Sequence, residues 1–470
     1  MNVKNLHCSL KNIPIPQDNA YLKCLVDKTT DFIKRLRWKA FFFEKNNSDN
    51  EQESESSDSD NDEPVSHYGF RSPRTPPNIR LLKPFEDELY QMIHDVKFTR
   101  HCNDFQQKLL ADSRTIRSSQ KMFVPADKST NLYEMDKQNY EKLLQSSVTK
   151  SYKKCRTNVK ESIDSEARDI AASLDISDRV EQMSENDAFI TLKDHKDNFL
   201  NNPTCRLINP AKSEMGRISK TILEGVVAKV AKSSGLNQWR KTSAVIDWFK
   251  DIPRKSQARL MKFDICDFYP SITEDLLTRA LEFARSFTEV SDDDINIIMH
   301  CRKCLLFSGG DQWVKKDSNE MFDVTMGSYN GAEVCELVGL YLLSKIVDTT
   351  GIDLVGLYRD DGLASIRSTS GRVLDRIRKD VSAIFKAEGL SITCHTNLQV
   401  TDFLDITLNM DTGKFYPFWK ENNTPLYINA KSNYPQTIKN ELPSMINDRL
   451  SKISCDEEVF NQAKDMMRRL

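Results

Sequence analysis

Val355-Gly-Leu-Tyr-Arg-Asp-Asp-Gly-Leu-Ala-Ser365 is the stretch whose reading decides the fold: two short apolar runs with paired carboxylates at the bend between them. It reads as a tight hairpin with an acidic tip, Gly362 after Asp361 acting as the turn signal and the flanking apolar residues as strands. Adjacent aspartates repel each other, and a compact protein rarely sets them at a strand turn without a cation or solvent to take up the charge. A metal-holding tip and an ordinary solvated Asp-Asp-Gly turn both fit the stretch alone. A further carboxylate from another strand decides between them.

Leu260-Met-Lys-Phe-Asp-Ile-Cys-Asp-Phe-Tyr-Pro-Ser-Ile272 supplies that carboxylate. Leu260, Met261, Phe263 and Ile265 predict a largely buried strand, which Asp264 interrupts with a charge that is costly to bury without a partner. Pro270 is expected to end the strand. Ser271 and Glu274 then form a capping box for a helix with Leu276, Leu277, Ala280, Leu281, Ala284 and Phe287 on one face. Asp264 is thus expected at a strand end before a turn and helix, with Tyr269 close to whatever a metal there would hold.

Basic and glycine-bearing segments lie on either side. Thr191-Leu-Lys-Asp-His-Lys196 and Pro203-Thr-Cys-Arg-Leu-Ile-Asn-Pro210 predict a hairpin carrying Lys193, Lys196 and Arg206 towards one side. Such a cluster suits a triphosphate, because arginine makes planar two-pronged contacts and lysine supplies a mobile point charge; a solvated basic loop is the alternative. Within Phe123 to Tyr133, Asp127 and Lys128 read as a strand end with a surface ion pair. Val324-Thr-Met-Gly-Ser-Tyr-Asn-Gly-Ala332 leads into an apolar helix through Leu343; Gly327 and Gly331 allow close approach of a ligand, or serve helix entry. Cys301-Arg-Lys-Cys304, after His300, resembles half of a zinc site and lacks a second pair. A hairpin is predicted over 304–325, turning at Gly309-Gly310-Asp311, a helix over Val373 to Lys386, a strand over Phe403 to Leu408, and a helical tail after Pro435.

The chain has 470 residues, 39% of them hydrophobic, enough for a sizeable core and two or three domains. With 29% charged residues and a mean hydropathy of −0.55, the expectation is a soluble protein with no membrane partner and no signal peptide. Eleven scattered cysteines, an odd number, point to reduced thiols in the nucleus or cytoplasm. Eight acids and no Lys or Arg fall between Asn46 and Pro64; without them the net charge of −2 becomes +6, which permits polyanion binding. A basic amphipathic helix is expected within residues 1–45, with Lys34, Arg35, Arg37 and Lys39 on a solvated or nucleic-acid-facing side. A disordered acidic linker over 46–80 and a helical N-terminal extension over 81–180 follow.

One Asp at a strand end and two at a hairpin tip about ninety residues later are what two-metal nucleotidyl transfer needs. On these residues the chain resembles a reverse transcriptase, most of all those of Penelope-like retroelements, over about residues 120 to 460. Tyr358-Arg-Asp-Asp361 is similar to the family's Tyr-x-Asp-Asp hairpin, and Phe263-Asp264 with Tyr269 to the palm motif bearing the first metal ligand and the gate over the sugar 2′ position. Lys193 to Lys196 with Arg206 resemble the fingers residues that touch the triphosphate, and Met326-Gly-Ser328 the segment that supports nucleotide and template. Ala126-Asp-Lys128, Phe403-Leu-Asp405 and Ser432-Asn-Tyr-Pro435 resemble three further segments of that group.

The resemblance implies an α+β right-hand polymerase fold: fingers and palm over 181–410, with an antiparallel sheet and helices, and a helical thumb over 411–470. It implies catalysis by Asp264, Asp360 and Asp361, which with the Ile265 carbonyl hold two magnesium ions, manganese being an alternative. The implied partners are an RNA template, a DNA or RNA primer and dNTPs. Arg359 departs from the small or apolar residue usual between Tyr and the aspartates, and Gly331-Ala332 replaces a usual proline. No GIY-YIG-like nuclease follows, so nicking is expected to need another polypeptide or a pre-existing DNA end. A catalytically inactive, retroelement-derived nucleic-acid-binding protein is the second reading.

Overall fold

The computed structural model describes residues 20–52, 77–96, 104–118, 121–128, 131–155, 159–174, 176–177, 183–194, 196, 199, 201–212, 214–316, 321–352, 354–419 and 435–469. Contacts divide the chain into two units: Met1–Gln120 with Asp175–Arg179 and Tyr427–Tyr434, and Lys121–Leu174 with Val180–Leu426 and Pro435–Leu470. No helix among the described residues is long and apolar enough to cross a membrane.

In the first unit a helix spans Ala20–Gln52, past the expected boundary at residue 45. No Gly or Pro interrupts this stretch, and acids by themselves do not break a helix. The remainder of the expected linker, 53–76, lies outside the described residues. Ile33 is buried, Phe32 meets Phe85 edge-on at 6.5 Å, and Arg37 Nε donates to Glu86 Oε1 at 2.6 Å from the helix Lys83–His94. Arg37 is therefore held inside the unit by a buried carboxylate and does not stand on a solvated face.

The helical extension expected over 81–180 is crossed by strands. Lys121–Pro125 pairs antiparallel with Leu132–Asp136, and Tyr152–Lys154 pairs with Asp311–Lys315. The second pairing ties this segment into the second unit, a long-range partnership that local periodicity does not carry. Two more hairpins belong to the unit: Phe189–Leu192 with Cys205–Ile208, and Leu306–Ser308 with Asp311–Lys315. The latter turns at Gly309 and Gly310, whose φ values of +63° and +80° are the ones a two-residue hairpin turn asks of glycine.

The central sheet has the order Ile392–Leu398, Arg259–Ile265, Asp361–Ile366, Val355–Tyr358, Asn237–Gln238, antiparallel except for the last pair. Met261, Phe263 and Ile265 face one core together with Ala364 and Ile366, under the helices Glu274–Arg285, Gly331–Thr350 and Gly371–Ala387. Leu260 and Leu363 face a second core with Trp239, Phe249 and Phe403. The Arg259–Ile265 strand thus alternates by the two-residue period, and Asp264 follows Leu260 and Lys262 on the second face. It does not interrupt a strand buried on both sides: Asp264 is exposed at the sheet's end.

The stretch Phe403 to Leu408, expected as one strand, belongs to two, Val400–Phe403 and Ile406–Asn409, joined at Leu404 (φ +55°) and Asp405. Phe415–Pro417 completes this small sheet, so a boundary at residue 410 cuts through it. Its buried side packs with Leu450 and Ala463 of the helices Gln436–Lys452 and Glu457–Arg469. Asp405 accepts from Thr242 Oγ1 and from Arg449 Nη2, the latter at 3.0 Å, tying the sheet to the helices Thr242–Asp251 and Gln436–Lys452. Of Ser432 to Pro435 only Pro435 is among the described residues.

The helix after the Arg259–Ile265 strand starts later than expected. Pro270 and Ser271 close a one-turn helix, Phe268–Ser271, and the cap of Glu274–Arg285 is Thr273, which accepts from Leu276 N at 3.2 Å. Pro270 is tolerated in that first turn because the missing N–H has no partner to lose there.

Cys301 and Cys304 gather no further ligands: among the described residues no three His, Cys, Asp or Glu are grouped to bind a metal. Arg302 between them is 1% exposed and donates to Asn330 Oδ1, which lies at the start of the Gly331–Thr350 helix. Part of each cysteine residue reaches the surface, but Cys304 Sγ is surrounded by Asn209 Nδ2 (3.4 Å), Thr325 Oγ1 (3.8 Å) and Leu305 O (3.9 Å). Burial pushes the Cys301 thiol up to about 12 and that of Cys304 up to about 11. Protonated thiols react slowly. Iodoacetamide at neutral pH is therefore expected to label exposed Cys24 at least about tenfold faster than either; equal rates read by peptide mass spectrometry would refute the buried assignment.

Candidate active site

The hairpin turns one residue earlier than its sequence implies. Tyr358 pairs with Asp361, so Arg359 and Asp360 form the tip and Gly362 lies inside the strand. Arg359 has φ +56°, a conformation that costs a residue with a side chain about 1 kcal/mol. Its guanidinium rests 5.9 Å from the Tyr358 ring centroid. Gly362 is demanded by packing rather than by the turn: a Cβ there would lie 2.1 Å from two ring carbons of Phe263, its cross-strand partner.

The same register sets the acids. Asp361 stands directly opposite Asp264 on the neighbouring strand, which puts their Cβ atoms on one face about 5 Å apart. Asp360 follows in the turn, and its carbonyl accepts from Ile265 N at 2.9 Å. Although part of Asp264 reaches solvent, desolvation by the surrounding protein raises its pKa, and the charge of Asp360 raises it further, while Lys128, Lys196 and Lys262 pull it back. Asp361 is raised by burial, then by Asp360 and Asp264. The three carboxyls therefore share one field of mutual repulsion.

As donors these groups suit a hard cation. Magnesium takes one or two carboxylates and completes its shell with water and phosphate oxygens. A pair of facing aspartates fits that habit without a closed protein cage; among the described residues no three His, Cys, Asp or Glu are grouped to bind a metal by themselves. Asp264, Asp360, Asp361 and the Ile265 carbonyl are the groups here that would hold it.

Tyr269 is half-buried at the edge of this site. Burial raises its phenol, and Cys335, Arg359 and Asp360 are close enough to act on it. Tyr269 Cε1 lies 3.4 Å from where a Cβ on Gly331 would stand, and Ser328 Oγ lies 2.7 Å from the same point. The space beside Gly331 is thus filled by protein. Gly327, at φ +112°, has the Asn209 carbonyl oxygen 2.3 Å from its Cβ position, and Asn209 N donates to Met326 O at 3.2 Å. These glycines allow the chain to approach itself, and the Met326-Gly327-Ser328 turn is anchored to the residue following the Cys205–Ile208 strand. Asn209, whose Nδ2 also donates to Leu305 O at 2.8 Å, was not legible as an anchor, because Leu305 lies far along the chain.

The three expected fingers cations part company. Lys196 is exposed and acts on Asp264. Lys193 is half-buried, with its N–H donated to Thr204 O at 2.8 Å. Arg206 is bound by Nη1 to Asp127 Oδ1 at 2.9 Å. His195 lies outside the described residues. Lys262, two residues before Asp264 on the same strand face, donates to Asp402 O at 2.7 Å; the two-residue period could have brought it to notice.

No protein-family model matches the chain, and no curated protein matches it. Solved structures do. Telomerase from Candida albicans, in complex with a TWJ fragment of telomeric RNA, is 12% identical with a TM-score of 0.51, over 78% of this chain and 62% of that one. Apo telomerase from Candida tropicalis lacking its C-terminal domain is 11% identical with a TM-score of 0.46, over 72% and 70%. The RNA-dependent RNA polymerase of a human picobirnavirus is 11% identical with a TM-score of 0.36, over 70% and 71%. The chain spans about 62% of the length of the Candida albicans telomerase it matches. What it shares with that structure is the fold, an α+β right-hand polymerase fold.

Proposed function

We propose that the chain is an RNA-directed DNA polymerase of a retroelement, most similar to the Penelope-like type, acting in the nucleus or cytoplasm. One observation carries the reading: Asp264 and Asp361 are cross-strand partners with Asp360 in the adjoining turn, on the palm sheet of a right-hand fold. The Penelope-like assignment rests on the resemblance of the sequence segments; Ala126 and Asp127, in one of those segments, meet Leu192 at the end of the Phe189–Leu192 strand. Magnesium bound at these carboxylates would supply acidity to a primer 3′-hydroxyl and neutralise the triphosphate.

The protein's own part is orientation. Asp264, Asp360 and Asp361 concentrate negative charge at one sheet end, so a triphosphate approaches only with cations to receive it. Lys196 supplies positive charge facing the acids, while Arg206 is paired with Asp127 and braces the hairpin that carries it. The Met326–Ser328 turn, anchored by Asn209, forms one wall of the site, and Tyr269 occupies the space a ribose 2′-hydroxyl needs. A template-primer duplex would be gripped through its phosphates, by shape rather than sequence.

Purified protein is expected to extend a DNA primer on an RNA template with dNTPs. Tight binding of template-primer without extension, in magnesium and in manganese alike, would replace this reading with a binding protein, for which strained Arg359 is the motivating feature. Tyr269→Ala is expected to lower discrimination against ribonucleotides on the order of a hundredfold while the variant still adds dNTPs. The ratio of kcat/KM for dNTP over rNTP measures it; an unchanged ratio would remove Tyr269 from the sugar site.

A further inference from the structure

Arg302, between Cys301 and Cys304, is a buried cation whose needs the surrounding chain meets only in part. Its Nη2 donates to Asn330 Oδ1, and Asn330 Nδ2 in turn donates to Ser219 Oγ at 2.6 Å. Its Nε and Nη1 have no hydrogen-bond partner among the described residues. The acids in its neighbourhood are committed elsewhere. Asp323, whose charge acts on Arg302, accepts from Tyr152 Oη at 2.6 Å and pairs with Lys315 Nζ at 3.4 Å, and Glu166 pairs with Lys303 Nζ at 2.7 Å. The flanking thiols, pushed up to about 12 and about 11, are neutral at physiological pH and supply no countercharge. Burying a charge without a partner is costly, so an arginine kept here calls for a negative group from outside the chain.

Arg302 also lines a cavity of about 30 Å³, and among the described residues no Asp or Glu lines it. What does line it favours an anion. Lys212 is exposed and stands 4.9 Å from the ring centroid of Tyr329, which also borders the cavity. Gly216 brings in the first turn of the Glu214–Ser234 helix, the end where a helix carries partial positive charge. Such a volume holds roughly one or two waters or a single halide ion, and a tetrahedral oxyanion does not fit.

We infer that this cavity binds one monatomic anion, of which chloride is the abundant one in cells, held by Arg302 Nε and Nη1. The anion joins the Cys301–Cys304 turn to Ser328 and Asn330, and so braces the Met326–Ser328 turn from behind. Its binding does not depend on the polymerase reading.

The test uses the full chain and two readouts. Crystals grown without halide and soaked in sodium bromide are expected to show an anomalous-scattering peak within about 3.5 Å of Arg302 Nε and Nη1. In thermal unfolding at constant ionic strength, exchanging sodium gluconate for sodium chloride or bromide is expected to raise the melting temperature by about 2–4 °C, saturating as binding at one site requires. Sulfate stabilises by exclusion from the surface, so any rise it gives should grow steadily and not saturate. Arg302→Met, which removes the charge and keeps much of the bulk, is expected to lose the halide-dependent rise; should that variant fail to fold, the bromide peak in wild type decides. An ordered water between Arg302 and Asp323 in place of bromide, or a wild-type melting temperature equal in gluconate and chloride, overturns the assignment.

Discussion

Asp264→Ala and Asp360→Ala are each expected to lower the rate of primer extension by at least about 10³-fold, a loss of about 4 kcal/mol of transition-state stabilisation. The size follows from what stands at the sheet's end. Asp264 faces Asp361 across the Arg259–Ile265 and Asp361–Ile366 strands, and Asp360 bends over them with its backbone tied to Ile265 N. Removing either carboxylate takes away a charge that no neighbour replaces, because the lysines acting on Asp264 have the opposite sign.

Neither substitution should unfold the protein. Asp264 is exposed, Asp360 lies in the turn, and each repels the other, so alanine removes an unfavourable interaction. Melting temperatures at or above wild type, template-primer affinity within about threefold, and lost incorporation form the expected pattern. Activity within tenfold of wild type in both variants would sink the site assignment.

Gly362→Ala is expected to have the largest effect on stability. The new methyl would lie 2.1 Å from two carbons of the Phe263 ring, which is 1% exposed and itself packed on Phe385 at 5.6 Å between centroids. The ring has nowhere to move, so the strand pair that carries both acids has to part. Overpacking of this kind costs about 3 kcal/mol or more, about 5–10 °C in melting temperature for a domain of this size. Gly371→Ala is the control: nothing lies within 4 Å of its Cβ position at the start of the Gly371–Ala387 helix, and it should be neutral or slightly stabilising. Phe263→Leu should recover part of the loss in Gly362→Ala. A Gly362→Ala melting temperature within a degree of wild type would show that the strands are not in this register.

Much of the fold was legible because it is written in short periods. The strand at Leu260, the helix that begins near Glu274, the Gly309-Gly310 hairpin and the helix over Val373 to Lys386 each follow from apolar spacing and turn residues within a dozen positions. What failed was local punctuation whose meaning depends on distant partners. Gly362 looked like a turn glycine, and the cap at Ser271 was displaced to Thr273 by a one-turn helix. The break at Phe123–Tyr133 was legible as a strand end, but the strand Tyr152–Lys154 was hidden among helices, since it pairs with a segment more than a hundred and fifty residues away.

The sequence by itself determined that Asp264, Asp360 and Asp361 belong together, because acids bordering apolar strands are costly unless a shared cation takes up their charge. It also determined that basic segments precede them in an order resembling reverse transcriptases. Only the tertiary structure decided which residues form the tip, why Gly362 is glycine, and that Asp127 pairs with Arg206. Periodicity specifies which face a side chain takes, but contact between hairpins dozens of residues apart depends on register and docking, which are set by packing across the whole unit.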